Sequence, residues 1–117
     1  MKTTVLCYEK CTTCKKALKW LEEQGVTYEV RPIKEENPSE SEIKEWHEKS
    51  GLPLKRFFNT SGMLYRELGL KDKLPNMSEE EQIKMLASDG MLVKRPLLIA
   101  DAVIWPGFKE SEWQKLL

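Results

Sequence analysis

The sequence predicts an α/β protein: a strand–helix–strand unit at the front, a strand hairpin and helix at the back, and a helical insertion between the second and third strands. Three observations predict it. An apolar run from Thr4 to Tyr8 gives way to a helical period that closes at Gly25. The middle of the chain carries two Ser-x-x-Glu helix starts, Ser39 with Glu42 and Ser78 with Glu81. The pattern then returns to short apolar runs, Leu97–Ala100 and Val103–Trp105.

In order, the first strand spans Thr4 to Tyr8, β-branched and aromatic in character. A helix from Thr12 or Thr13 to Gln24 presents Cys14, Ala17, Leu18 and Leu21 on one stripe. Thr27 to Arg31 follows as a strand stopped by Pro32, and a helical crossover between two strands makes them parallel and right-handed. Ser39 opens a helix with Ile43, Trp46 and Ser50 inward, ended by Gly51. Short helices are expected at Leu54–Phe58, carrying Phe57 and Phe58 inward, and at Met63–Leu68, stopped near Gly69. The Ser78 cap opens a helix with Ile83, Leu86 and Ala87 inward and Gly90 as its stop. Leu97–Ala100 and Val103–Trp105 form a hairpin about an Asp101-Ala102 turn, which Pro106-Gly107 breaks. Glu110–Leu117 is a last helix with Trp113, Leu116 and Leu117 on one face. This order, βαβ, helices, ββα, is that of a thioredoxin- or glutaredoxin-like core in a single domain, 1–117, with the insertion at about 37–92.

The 117 residues are enough for a hydrophobic core without disulfide staples. Lys and Arg (19) balance Asp and Glu (19), which argues against a nucleic-acid-coating or membrane-surface protein. No apolar run approaches the ~18 residues of a membrane span, and the N-terminus enters a strand without a signal-peptide core. A cytoplasmic location is therefore expected. In a reducing compartment a close cysteine pair is catalytic, redox-sensing or metal-binding rather than a structural bridge.

Cys11-Thr12-Thr13-Cys14 sits where the first helix begins. A thiol reacts as its thiolate, and unpaired N–H groups at a helix start, together with the helix dipole, favour that form. Cys11 is expected to be the exposed nucleophile, with Lys10, Lys15 and Lys16 near it, and Cys14 the inward thiol that closes the disulfide. Cys7, at the end of the first strand, is either a small inward hydrophobe or a spare partner for Cys11. A zinc site needs four ligands, and His47, read as a solvated surface residue, has no partner, so no metal is expected. Arg95-Pro96 is the second constellation. Proline before a buried strand suggests a cis bond that frees its neighbour to face a ligand, and arginine there can hold an oxyanion or favour a thiolate.

Together with Lys94-Arg95-Pro96-Leu97-Leu98-Ile99, Gly107-Phe108-Lys109-Glu110-Ser111-Glu112-Trp113 and Tyr65-Arg66-Glu67-Leu68-Gly69-Leu70, the motif resembles the arsenate reductase (ArsC)/Spx/MgsR family over nearly the whole chain. The resemblance implies a thioredoxin-like fold with a helical subdomain, Cys11 as nucleophile, Arg95 as the oxyanion-contacting arginine and Pro96 as the cis-proline. Thr12, Thr13, Lys94 and Pro96 complete the expected binding set. Two features depart from arsenate reductases. Asn59 and Gly107-Phe108-Lys109 stand where further arginines are expected, with Lys94, Arg56 or Lys109 as substitutes, and Cys14 is present, as in the Spx branch. Against the Spx branch, the chain lacks a longer tail, and its Leu54–Gly62 segment is closer to the reductase-like members.

Two functions follow as expectations. One is a monomeric thiol–disulfide oxidoreductase of arsenate reductase-like type, with no bound cofactor and with thioredoxin, glutaredoxin or glutathione as reductant; arsenate reduction is a special case of it. The other is a redox-sensing regulator that binds the C-terminal domain of the RNA polymerase α subunit without touching nucleic acid directly.

Overall fold

Chain order in the computed structural model, which describes residues 3–101 and 103–117, begins with β1 (Thr4–Cys7), α1 (Thr12–Glu23) and β2 (Glu29–Pro32). Helices α2 (Glu40–Ser50), α3 (Met63–Glu67), α4 (Leu70–Lys73) and α5 (Glu79–Ser88) follow, interspersed with 3-10 turns. Then come β3 (Leu97–Ile99), β4 (Ile104–Pro106) and α6 (Glu110–Trp113). The chain forms two compact units, Met1–Pro32 with Arg95–Leu117, and Ile33–Lys94. Among the described residues no helix is long and apolar enough to cross a membrane.

The first unit is built on a mixed four-stranded sheet in the order β2-β1-β3-β4. β1 runs parallel to β2, as a helical crossover requires, and antiparallel to β3, which pairs with β4 in an antiparallel hairpin. The register puts Val5 beside Leu98 and Leu98 beside Trp105. With Cys7 and Ala100 these residues form one apolar cluster with Cys14, Ala17, Trp20 and Leu21 of α1 and Trp113 of α6. Trp20 lies outside the expected stripe because its long ring reaches Phe108 and Trp113, at centroid distances of 6.0 and 6.4 Å. α1 closes on a Schellman motif: Gly25 donates to Glu22 and Val26 to Leu21, with Gly25 at φ 72°.

Several boundaries differ from expectation; β2 starts at Glu29 rather than Thr27 and includes Pro32, which pairs with Cys7. Tyr8 leaves β1 because its carbonyl accepts the Cys11 N–H at 3.0 Å, turning the chain into α1. Pro106 does not break the hairpin; it ends β4, an edge strand where a missing N–H leaves no ladder bond unmade. The Ala100 N–H donates to the Val103 carbonyl across the hairpin, while Ala102 of the expected turn lies outside the described residues. The last helix is one turn that tightens to 3-10 over Gln114–Leu116, so Trp113 is fully buried whereas Leu117 is 66% exposed.

In the second unit both capping boxes form: Ser39 and Glu42 exchange bonds of 3.2 and 3.0 Å, and Ser78 and Glu81 bonds of 3.1 Å. α2 packs on α5; Ile43 and Trp46 of α2 and Leu86 of α5 are buried, with Ile83 and Ala87 only half-buried. The expected helix at Leu54–Phe58 is a 3-10 turn, Leu54–Phe57, after which Phe58 pairs with Val93 in an isolated bridge. Gly90, expected to end α5, sits instead in a 3-10 turn after an extended Asp89. Glycine is required there by close approach, since a Cβ would collide with the Ile33 carbonyl and Asn37.

Candidate functional site

The three cysteines all belong to the first unit, within one strand–turn–helix segment. Cys7 is the last residue of β1 and only 5% exposed. The turn through Glu9 and Lys10 brings Cys11 to the N-cap of α1, where its backbone is extended and its carbonyl accepts the Lys15 N–H at 3.2 Å. Its side chain makes no capping hydrogen bond, and the first helical turn holds no acidic residue. The partial positive charge of that helix end is thus left to the thiols. Cys11 is half-buried at the rim of the apolar cluster, and Cys14, in the first turn, is 1% exposed.

Cys14 shares the apolar cluster with Cys7, and Cys11 packs against it. The Cys7 S–H donates to the Cys14 sulfur, the largest of the influences that bring Cys14 down from 9.0 to about 6. Burial opposes that change, while the Tyr8 backbone N–H, the Cys11 thiol and the charge of Arg95 support it. Cys7 is pushed up, first by the same hydrogen bond, then by burial and by the charges of Cys14 and Cys11. The two buried sulfurs therefore share one proton, which stays on Cys7, and the surroundings favour the thiolate of Cys14. Of the two sequence readings of Cys7, burial agrees with the first, and its thiol partner is Cys14 rather than Cys11 alone.

Arg95 precedes Pro96 across a cis peptide bond. Its guanidinium carbon lies 5.1 Å from the centroid of the Tyr8 ring. One of its nitrogens, Nη1, is buried without a hydrogen-bond partner, leaving a donor free for an anion. Pro96 is buried, and its carbonyl accepts the Gly107 N–H at 2.8 Å. Thr12 and Thr13 are exposed on the first turn of α1. Lys94 belongs to the second unit, where it lines a cleft of about 300 Å³ with Lys55, Arg56, Phe58 and Thr60. His47, expected on the surface, is half-buried with its ring edge-on to Phe57 at 6.5 Å. Among the described residues no group of His, Cys, Asp or Glu is arranged to hold a metal ion.

The participation of Cys7 is the feature that spacing alone does not reveal. The one signal is its place at the end of a strand that leads straight into the motif. The chemistry available is thiol–disulfide exchange beside a cation with a free donor.

The family model described as "ArsC family" matches residues 6–116. Protein YusI of Bacillus subtilis, itself uncharacterized, is 55% identical, with 98% of each chain aligned. An arsenate reductase of Neisseria meningitidis is 32% identical over 79% of this chain and 78% of its own. The global transcriptional regulator Spx of Listeria innocua is 27% identical over 92% of this chain and 80% of its own. The solved structure of an ArsC family related protein from Bacteroides fragilis superposes with a TM-score of 0.97 at 53% identity, covering 100% of this chain and 98% of that one.

Proposed function

The chain belongs to the ArsC family, with its thioredoxin-like fold, and we propose that it is a cytoplasmic thiol–disulfide redox protein with Cys11 as nucleophile and Cys14 as resolving thiol. One observation carries this reading: in the first turn of α1 a buried Cys14, whose surroundings favour the thiolate form, lies behind a half-buried Cys11 at the N-cap. The Cys11 thiolate attacks a disulfide R–S–S–R′, expelling R′S⁻ and forming Cys11–S–S–R. Cys14 then attacks the Cys11 sulfur, RS⁻ leaves, and the Cys11–Cys14 disulfide remains. Thioredoxin, glutaredoxin or glutathione returns the two electrons by the same exchange. The free donor of Arg95 is suited to the negative charge of an incoming substrate, a glutathionyl carboxylate or an oxyanion. A single cation is a weak cradle for arsenate, so a disulfide is the favoured substrate.

The test is reduction of a glutathione mixed disulfide in a coupled assay. Turnover is expected in the wild type and lost in Cys11→Ser, while Cys14→Ser traps the substrate on Cys11. Full turnover by Cys11→Ser would refute the assignment.

The likeness to Spx supports a second reading, a redox-sensing regulator that binds the RNA polymerase α C-terminal domain. Oxidation-sensitive capture of that domain, with no disulfide turnover, would favour it over the enzyme.

A further inference from the structure

We propose that Cys7 is a third working thiol of this site, and that a disulfide formed between Cys11 and Cys14 is passed inward to Cys7 and Cys14, leaving Cys11 free at the surface. The inference rests on the redox reading above and extends it.

Contact comes first. Cys7 and Cys14 sit in one apolar cluster with Cys11 packed against it, and Cys14 interacts with both other thiols, so it is the sulfur common to both possible disulfides. Cys7 and Cys14 are both core residues, 5% and 1% exposed, whereas Cys11 is half-buried at the rim. Cys7 is buried as a small hydrophobe would be, and it also adjoins the thiol that closes the motif.

Solvation sets the direction. A disulfide carries no charge and no hydrogen-bond donor, and it suits an apolar cluster better than an ionisable thiol does. With the disulfide at Cys11–Cys14, the leftover thiol is the buried Cys7. With it at Cys7–Cys14, the leftover thiol is Cys11, half-buried at the N-cap of α1, where the helix end favours a thiolate. The first oxidation also releases Cys7. Its thiol is held protonated mainly by its bond to the Cys14 thiolate, and that partner ceases to be an anion once Cys14 is in a disulfide.

The step is an isomerisation. The Cys7 sulfur, as thiolate, attacks the Cys14 sulfur; the Cys7–Cys14 bond forms, the Cys11–Cys14 bond breaks, and Cys11 leaves as thiolate. The Cys7 proton passes to Cys11 or to solvent. No electrons are gained or lost, because the oxidising equivalent entered earlier from an organic disulfide.

Trypsin makes the test direct. Cleavage after Lys10 and Lys15 places Cys7 in the peptide Thr3–Lys10, and Cys11 with Cys14 in Cys11–Lys15. Wild-type protein is treated with glutathione disulfide for increasing times, quenched in acid, alkylated with a maleimide and digested. The proposal expects an early internal disulfide in Cys11–Lys15 with the label on Cys7. That species should convert to cross-linked Thr3–Lys10 and Cys11–Lys15 with the label on Cys11. A label that stays on Cys7 overturns the relay while leaving the redox reading intact. A cross-link with the label on Cys14 overturns it as well. Absence of any disulfide or mixed disulfide at Cys11 overturns both. In Cys7→Ala the oxidised protein should accept no label at all; the wild-type readout decides the matter even where that variant folds poorly.

Discussion

Replacing Cys7 by alanine should weaken the Cys14 thiolate by a measurable amount. The Cys7 S–H is the leading influence that brings Cys14 down to about 6, and alanine removes it without adding a donor. A hydrogen bond to a charged group contributes about 1.5–3 kcal/mol. At about 1.4 kcal/mol per pH unit, its loss moves the Cys14 titration upward by about 1–2 units, to about 7–8. The experiment is cleanest with Cys11→Ser as background, since the serine hydroxyl keeps a donor on that side of Cys14. Thiolate absorbance is followed against pH in Cys11→Ser and in Cys11→Ser/Cys7→Ala. Cys7→Ser serves as the rescue, because its hydroxyl can still donate, and it should titrate closer to the parent than alanine does. A midpoint that stays near about 6 in the alanine variant would refute the assignment of Cys7 as donor.

The same pair makes stability depend on pH in a defined sense. Cys14 is depressed in the folded state, so its contribution is full above the unfolded value of about 8.5 and is lost as pH falls through about 6. The stability difference between wild type and Cys14→Ser under reducing conditions should therefore grow from pH 6 to pH 8.5, by at most about 3 kcal/mol. Cys7 is raised, so its unfolded form ionises first and stability should decline above about pH 8.5; urea titrations across that range, with and without Cys7→Ala, separate the two trends. Gly90→Ala forces a methyl group against the Ile33 carbonyl and should destabilise by about 1–3 kcal/mol or more, read as a lower urea midpoint. Ser39→Ala and Ser78→Ala each remove one half of a capping box and should each cost about 1 kcal/mol, read as a lower urea midpoint.

Fold elements with a local cause were the legible ones. Both capping boxes, the Gly25 and Gly51 helix ends and the parallel start of the sheet each follow from a few neighbouring residues, and each is present. Expectation failed where the deciding partner is distant in sequence. Gly90 reads locally as a helix stop, but its neighbour is Ile33, far back along the chain. Pro106 reads as a breaker, yet it is tolerated because β4 has a strand on one side only. Trp20 escaped the helical stripe because its ring reaches aromatic residues of the C-terminal segment. His47 was read from the polarity of its own helix, and its partner is Phe57.

The site divides in the same way. The Cys11–Cys14 motif at a helix start gives the outer and inward thiols directly, because Cys11 is the extended N-cap outside the helix whereas Cys14 lies in its first turn on the apolar stripe. It cannot say which anion the surroundings stabilise, since that depends on donors outside the motif. Here those donors are the Cys7 thiol and the Tyr8 N–H, both at the strand end, with the charge of Arg95 from the start of β3. A buried thiolate held this way needs no lysine beside it, and Lys15 and Lys16, which look persuasive in sequence, are exposed on α1. The surroundings of Cys14 are therefore better described as a strand end, a helix start and a cis-proline loop than as the motif alone. Substitutions at Cys7 or Arg95 should alter its reactivity more than any change to the lysines around it.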